Sequence, residues 1–232
     1  MLQKKKKLVL LVGQSNMAGR GEIEPEDRVE IPGLSKLNAA LQWEAADEPL
    51  HFDRTFAGTG PGRTFGRLLL LSQPDCPVGL VPCAVGGSPI SVWRPGMEFQ
   101  AGEHPYDDTI RRARAAQAEG EFAAILWHQG ESDAKKQNPD YALELRTLVL
   151  RLRAELGLPE LPFICGELGH FLGPEYPAEP INAATQAVVA ELPKMGYVSA
   201  AGLESKGDHL HFSAASAREL GRRYFEAFQA LC

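Results

Sequence analysis

The stretch that sets the fold is Leu8–Gly21, "LVLLVGQSNMAGRG", in which an apolar run stops at Gly13 and passes directly into Gln14, Ser15 and Asn16 before two further glycines. A short aliphatic run bounded by glycine reads as a buried strand. A polar turn at the carboxyl end of such a strand is where an α/β protein places its ligand. A phosphate loop needs four residues between its glycines and then Lys and Ser/Thr. Here five separate Gly13 from Gly19, and Arg20 and Gly21 follow. A dinucleotide fingerprint fails because Ser15 takes its second glycine position, and the G-x-S-x-G elbow fails at Met17. What remains is a serine just past a strand, either a helix cap or a nucleophile.

Outward from this stretch, short apolar runs alternate with helical patterns. Further strands are expected at "VGLVPCAV" from Val78, "AAILWH" from Ala123, "PFICGEL" from Pro162 and "YVSAAG" from Tyr197. Helices are expected from Arg63, Tyr106, Pro139, Ile181 and Ser213. In the helix from Pro139 to Gly157, Leu143, Leu148, Val149, Leu152 and Leu156 form one stripe, with Pro139 in the first turn and Gly157 ending it. The alternation predicts an α/β fold with a central five-stranded parallel sheet, covered on both faces, in a single domain over 1–232. Three irregular stretches, Gly21 to about Gly62, Gly86–Pro105 and His170–Pro180, are the expected walls of a pocket.

The composition supports a globule: 232 residues, 44% hydrophobic, carrying a net charge of −6. An acidic chain lacks the concentrated basic face that polyanion binding needs, so nucleic acid is excluded as a partner. No apolar stretch approaches the ~20 residues of a membrane span. The run Lys4–Lys7 reads as a solvated tail. The apolar segment after it is shorter than the ~7 to 15 residues of a signal peptide core, so the expected location is cytoplasmic, or secreted if a leader has been removed. Four cysteines, Cys76, Cys83, Cys165 and Cys232, form no CxxC pair; Cys83 and Cys165 read as buried free thiols, with a Cys76–Cys83 bridge left open.

A serine nucleophile needs a base. Of six histidines, the ones in "GDHLHFS" stand beside an acid: Asp208 lies three residues before His211, on the same side of a turn entering a helix capped by Ser213. That spacing lets the carboxylate take the Nδ1 proton and leaves Nε2 for a serine. His209 projects the other way. A metal site on His209 and His211 lacks further ligands, so no metal and no cofactor are expected. Two more turns follow strands. "WHQGESDA" offers Gln129 as a side-chain oxyanion donor with Glu131 beside it, against the reading of a solvated loop with Ser132 or Asp133 as a cap. "AVGGSPI" offers a backbone N–H from Gly86 or Gly87.

Together "GQSNMAG", "AVGGSPI", "WHQGESD" and "DHLHFS" resemble, in order and spacing, the blocks of the SGNH hydrolase superfamily, in particular the sialate O-acetylesterase-like proteins and the acetylxylan esterases of carbohydrate esterase family six. The resemblance spans almost the whole chain. It implies a flavodoxin-like three-layer α/β/α fold and metal-free ester hydrolysis through an acyl-enzyme. By position, Ser15 would be the nucleophile, His211 the base and Asp208 its orienting acid. The N–H groups of Ser15 and of Gly86 or Gly87, with the Gln129 side chain, would form the oxyanion hole. Glu131 is the rival acid; the spacing favours Asp208. The implied substrate is a small-molecule or oligosaccharide acetyl ester, acetylxylan-like, with sialate O-acetyl esters, other short-chain esters or thioesters, and noncatalytic carbohydrate binding as alternatives. Gln14 and Asn16 beside Ser15, and loop residues Trp93, Arg94, Trp43, Phe52 and Arg54, are candidates for holding the sugar. No motif fixes the oligomeric state.

Overall fold

The structure, a computed structural model, describes residues 5–232; Lys4 of the basic run lies outside them. Strand β1, Lys6–Gly13, is followed by the single helical turn α1, Ser15–Ala18. Then come β2, Leu34–Leu37; β3, Trp43–Ala45; α2, Gly62–Ser72; β4, Val78–Pro82; and α3, Pro105–Gln117. The second half adds β5, Gly120–His128; α4, Glu131–Lys136; α5, Tyr141–Leu156; β6, Phe163–Gly166; α6, Ala178–Glu191; β7, Met195–Val198; and α7, Ala214–Leu231.

The sheet has seven strands among the described residues, ordered β3-β2-β4-β1-β5-β6-β7, rather than the five expected. All neighbours run parallel except β2 and β3. The two additional strands lie inside the stretch expected to be irregular. They are four and three residues long, too short to display alternation, and form only because β2 docks on β4. Trp43 belongs to this edge: its ring sits against Gly79 and beneath the Lys6 ammonium, not in a pocket. The basic run is also less free than expected. Lys6 and Lys7 are strand residues, and Lys5 and Lys6 pair with Glu121 and Glu119.

Strand β1 is buried on both faces, as parallel strands are when helices cover the sheet on each side. Leu8, Leu10 and Val12 enter one core with residues of α3, α5 and α6; Val9 and Leu11 enter the other with α2 and α7. This is the three-layer α/β/α arrangement. On α5 the inward stripe is Tyr141, Leu145, Leu148, Leu152 and Leu156, whereas Leu143 is exposed and Pro139 precedes the helix. Gly157 ends it in the left-handed conformation, and the Ser213 hydroxyl caps α7 by accepting from the Ser216 N–H. All four cysteines are free. Among the described residues no helix is long and apolar enough to cross a membrane.

The chain builds β2 and β4 on one side of β1 and β5 to β7 on the other. A crevice therefore opens at the carboxyl ends of β1, β4 and β5, where successive loops leave in opposite directions.

Candidate active site

Each block of the sequence reaches this crevice from a different strand end. Gly13 makes the first turn possible: its φ is +130°, and a Cβ there would stand 2.1 Å from the His128 carbonyl of the adjacent strand. The Gln14 N–H then donates to that same carbonyl, and the Val85 N–H, after β4, donates to the Gly13 carbonyl. Three strand ends are thus laced together under Ser15, which opens α1 and is 7% exposed.

The loop from Ser205 to Ser213 comes from beyond β7 and lies over Ser15. The His211 Nε2 is 3.1 Å from the Ser15 Oγ, and its Nδ1 is 2.7 Å from Asp208 Oδ2. The backbone N–H groups of Leu210 and His211 donate to Asp208 Oδ1, which closes the turn and fixes the carboxylate. Burial alone would raise the Asp208 pKa, but these donors and the imidazole hold it well below the usual carboxylate range. Burial dominates at His211 and pulls its pKa down, with Asp208 pulling the other way. The ring therefore stays neutral, and able to accept a proton, to lower pH than a free histidine.

Glu131 has no hydrogen bond to His211. It is buried, and its carboxyl accepts from the Asn16 side chain; burial raises its pKa to about 7, with the Asn16 bond opposing. Asn16 in turn donates to the Leu210 carbonyl and accepts from the Phe212 N–H. Expected to touch substrate, Asn16 instead clamps the histidine loop from below, because its side chain points into the protein.

Two further expectations are corrected. Gln129 is 2% exposed and does not line the cleft; its Nε2 donates to the Ser88 carbonyl, to Asp133 and to Gln14 Oε1. Trp93 is 1% exposed, edge-to-face on Trp127 with its Nε1 donating to Ser88, so it is core and not a sugar platform. Arg94, though exposed, is also absent from the cleft lining, as is His209, which sits at a φ of +53°. Ser132 opens no helix as a cap; its hydroxyl donates to the Gly87 carbonyl, while Asp133 is buried and accepts from the Ile90 N–H.

Gly86 and Gly87 both border the cleft but differ in what their N–H groups do. That of Gly86 donates to Asp53 Oδ2 at 2.8 Å, and Asp53 is locked to Arg20 in an ion pair whose side chains are each 3% exposed. A Cβ on Gly86 would run into that pair. Among the described residues the N–H groups of Gly87 and Ser15 donate to no protein acceptor. Arg20 and Asp53, separated by 33 residues, gave no sequence signal; only the fold joins them.

The cleft above Ser15 encloses about 270 Å³ and is walled by Arg20, Arg54, Phe56, Lys135 and Tyr176. Arg54 bridges to Glu103 and donates to Gln100 and the Gly86 carbonyl. Phe56 stacks on Arg20, and Tyr176 lies under Lys135. Phe56 and Tyr176 escaped the sequence reading, although both fall in stretches expected to wall the pocket. Among the described residues no group of three or more His, Cys, Asp or Glu side chains is disposed to hold a metal.

Residues 5–230 match the family model described as carbohydrate esterase, sialic acid-specific acetylesterase. The chain belongs to this family. A probable carbohydrate esterase of Arabidopsis thaliana is 32% identical over 244 residues, covering 95% of this chain and 89% of the plant protein. The solved structure of that protein superposes with a TM-score of 0.87 at 31% identity, covering 98% of this chain and all of the other. NanS shares the fold at a TM-score of 0.75 and 19% identity, over 99% of this chain and 98% of its own. So does a carbohydrate acetylesterase from Xanthomonas citri, at 0.74 and 22%, over 97% of this chain and 56% of that one. The carbohydrate esterase family makes this chain an ester hydrolase.

Proposed function

We propose that this esterase removes O-acetyl groups from xylo-oligosaccharide-like carbohydrates through an acetyl-serine intermediate. The observation that carries the reading is the continuous hydrogen-bond chain Ser15 Oγ–His211–Asp208, at 3.1 and 2.7 Å, at the floor of a cleft. Ser15 Oγ attacks the acetyl carbonyl carbon while His211 Nε2 takes the hydroxyl proton. The tetrahedral oxyanion accepts from the N–H groups of Ser15 and Gly87, since that of Gly86 is committed to Asp53. The bond to the sugar oxygen then breaks, His211 returns its proton to that oxygen, and the sugar leaves. Water, deprotonated by His211, hydrolyses the acetyl-serine to acetate and restores Ser15.

The side-chain donor is Gln14 rather than Gln129. The Gln14 carbonyl oxygen accepts from Gln129 Nε2 and from the N–H groups of Gly130 and Ser132. Three donors around that oxygen turn the Gln14 amide nitrogen, which has no protein acceptor among the described residues, toward the cleft it lines.

A second reading, a sialate O-acetylesterase, is favoured by Lys135. It borders the cleft and makes no ion pair among the described residues, so its ammonium is available to a substrate carboxylate. Acetate release from acetylated xylo-oligosaccharides, O-acetyl sialic acid and 4-nitrophenyl acetate tests both. Ser15→Ala is expected to lower kcat by about 10⁴- to 10⁶-fold on every substrate turned over. Equal rates in wild type and variant would refute the serine mechanism, and a preference for the sialic ester that Lys135→Ala abolishes would replace the xylan reading.

A further inference from the structure

The oxyanion donor assigned to Gly87 sits in the four-residue turn Val85–Ser88, which the Ser88 N–H closes onto the Val85 carbonyl at 3.2 Å. Gly87 stands third in it at a φ of +83°, the sign that a type II turn requires at that position and that favours glycine. A type I turn joins the same two ends. The two turns differ by about 150° in ψ of the second residue and about 170° in φ of the third, which amounts to turning over the one peptide between them. Here that peptide joins Gly86 to Gly87, and glycine on both sides removes the steric preference a side chain would impose. A Cβ on Gly87 would meet nothing closer than Phe99 at 3.7 Å, so no close packing at Gly87 selects the orientation either. Turned over, the peptide would offer a carbonyl oxygen where the reaction needs an N–H.

What selects it is a pair of adjacent residues in the loop between β3 and α2. Asp53 Oδ2 accepts the Gly86 N–H at 2.8 Å, and Arg54 Nη2 donates to the Gly86 carbonyl at 3.3 Å. In a trans peptide the C=O and N–H point opposite ways, so a group that holds the Gly86 carbonyl also fixes the Gly87 N–H on the other edge. Both grips are anchored. Arg20 Nη2 donates to Asp53 Oδ2 at 2.6 Å, and its Nη1 donates to the carbonyl of Gly19, just past the Ser15 turn, at 2.6 Å. Arg54 pairs with Glu103 and donates to Gln100 Oε1 at 3.0 Å and to the Asp53 carbonyl at 2.6 Å. The Ser132 hydroxyl donates to the next carbonyl, that of Gly87, at 2.8 Å. Charged groups thus fix a turn that its own two glycines leave undetermined.

We propose that Asp53 and Arg54 are positioning residues for ester hydrolysis: they hold the Gly86–Gly87 peptide with its N–H available to the tetrahedral oxyanion, and Arg54 bars the inverted peptide. Inversion is harmful twice, since the oxyanion loses a donor and faces a carbonyl oxygen. The role is confined to the transition state, so its loss lowers kcat and leaves KM. It rests on the acetyl-serine reading, and Ser15→Ala is therefore carried through the same assays.

The substrate for the test is 4-nitrophenyl acetate, which has no sugar for Arg54 to touch. Arg54→Ala is expected to lower kcat about 10²-fold with KM little changed. The Arg54 side chain is 21% exposed, so its truncation empties no core. Gly87→Ala, which puts an L side chain at a φ of +83°, should lose as much, because inversion relieves it. Asp53→Ala should also lose kcat, and Asp53→Asn, which keeps an oxygen for the Gly86 N–H, should recover most of it. Both Asp53 variants leave buried Arg20 unpaired and should unfold at lower urea, so a purely structural role would make their activities fall together.

Phenylboronic acid gives a second readout without turnover. Ser15 Oγ adds to the boron and its proton passes to His211, leaving a tetrahedral boronate anion in place of the oxyanion. The Gly87 amide ¹H–¹⁵N signal should move on adduct formation in wild type and stay in place in Arg54→Ala. A wild-type kcat in Arg54→Ala, with or without a rise in KM, would overturn the proposal, as would equal movement of the Gly87 signal in both proteins. Full turnover in Ser15→Ala would overturn the acetyl-serine reading itself, and this role with it.

Discussion

The molecule holds two histidine–carboxylate pairs with the same three-residue spacing, and they behave oppositely. Asp208 and His211 meet at 2.7 Å with side chains 36% and 17% exposed; His128 and Glu131 stand 3.9 Å apart at 0% and 1%. Asn16 touches both neighbourhoods, gripping the backbone around His211 and the Glu131 carboxyl. In the half-exposed pair, the Leu210 and His211 N–H groups, the Ser205 hydroxyl and the imidazole keep the carboxylate charged and tie it to the ring. In the buried pair desolvation dominates: burial raises Glu131 to about 7 and lowers His128 to about 3, so between about pH 3 and 7 the two face each other uncharged. His128 instead meets the Tyr224 hydroxyl through Nδ1. Identical spacing thus gives a charged carboxylate hydrogen-bonded to its histidine in one place and a neutral brace in the other, with burial as the difference.

The comparison breaks most visibly by exchanging the acids for amides. Asp208→Asn is expected to cost about 10⁴-fold in kcat on 4-nitrophenyl acetate, because the amide favours the wrong tautomer of His211. Glu131→Gln, which keeps an oxygen for Asn16, is expected to cost less than about 10-fold. Comparable losses in both would mean that the buried pair takes part in the chemistry.

A second contrast separates the glutamines. Gln14→Ala is expected to lower kcat by about 10² to 10³ with KM little changed. Gln129→Ala is expected to lower stability by about 1 to 3 kcal/mol, seen in urea unfolding, because it leaves the buried Ser88 carbonyl without a donor and takes one of several from buried Asp133. Full activity in Gln14→Ala would return the oxyanion role to backbone groups alone.

Stability against pH sharpens the difference between the pairs. Glu131 has a folded pKa of about 7, raised above its ordinary 4.5, so its contribution is intact below 4.5 and is lost as pH rises through 7. His128, lowered from 6.5 to about 3, contributes above 6.5 and loses as pH falls toward 3. Denaturation at each pH should therefore show Glu131→Gln gaining on wild type between pH 4.5 and 7, by up to about 3 kcal/mol. A constant difference across that window would show that Glu131 ionises normally in the fold.

The smallest effect is a shift in the rate profile. With the His211 pKa lowered chiefly by burial, the acid limb of kcat/KM should fall below the ordinary histidine value of 6.5. In Asp208→Asn the residual limb should move lower still, since Asp208 opposes that lowering.

How much of this was legible in the chain depends on distance along it. The turn from β1 into Ser15, the periodicity of α5 and the cap at Ser213 all express interactions within a few residues. So does the Asp208–His211 pair, since its spacing and its hydrogen bonds lie within one turn. The edge strands β2 and β3 were not legible, because three or four residues carry too little pattern until β4 supplies their partner. The cleft aromatics Phe56 and Tyr176 look like any other loop aromatic, and Trp93, which looked the same, is core.

By itself, then, the sequence determined that a serine follows the first strand and that an acid and a histidine stand one turn apart before the last helix. Local backbone geometry leaves those features little freedom. Only the tertiary structure decided which groups remain free to act. Ser15 and His211 meet across 196 residues, the Gly86 N–H is taken by Asp53 while that of Gly87 is not, and one glutamine reaches the cleft while the other holds it. A hydrogen-bond donor can be spent once, and what spends it is set by which distant segments pack together.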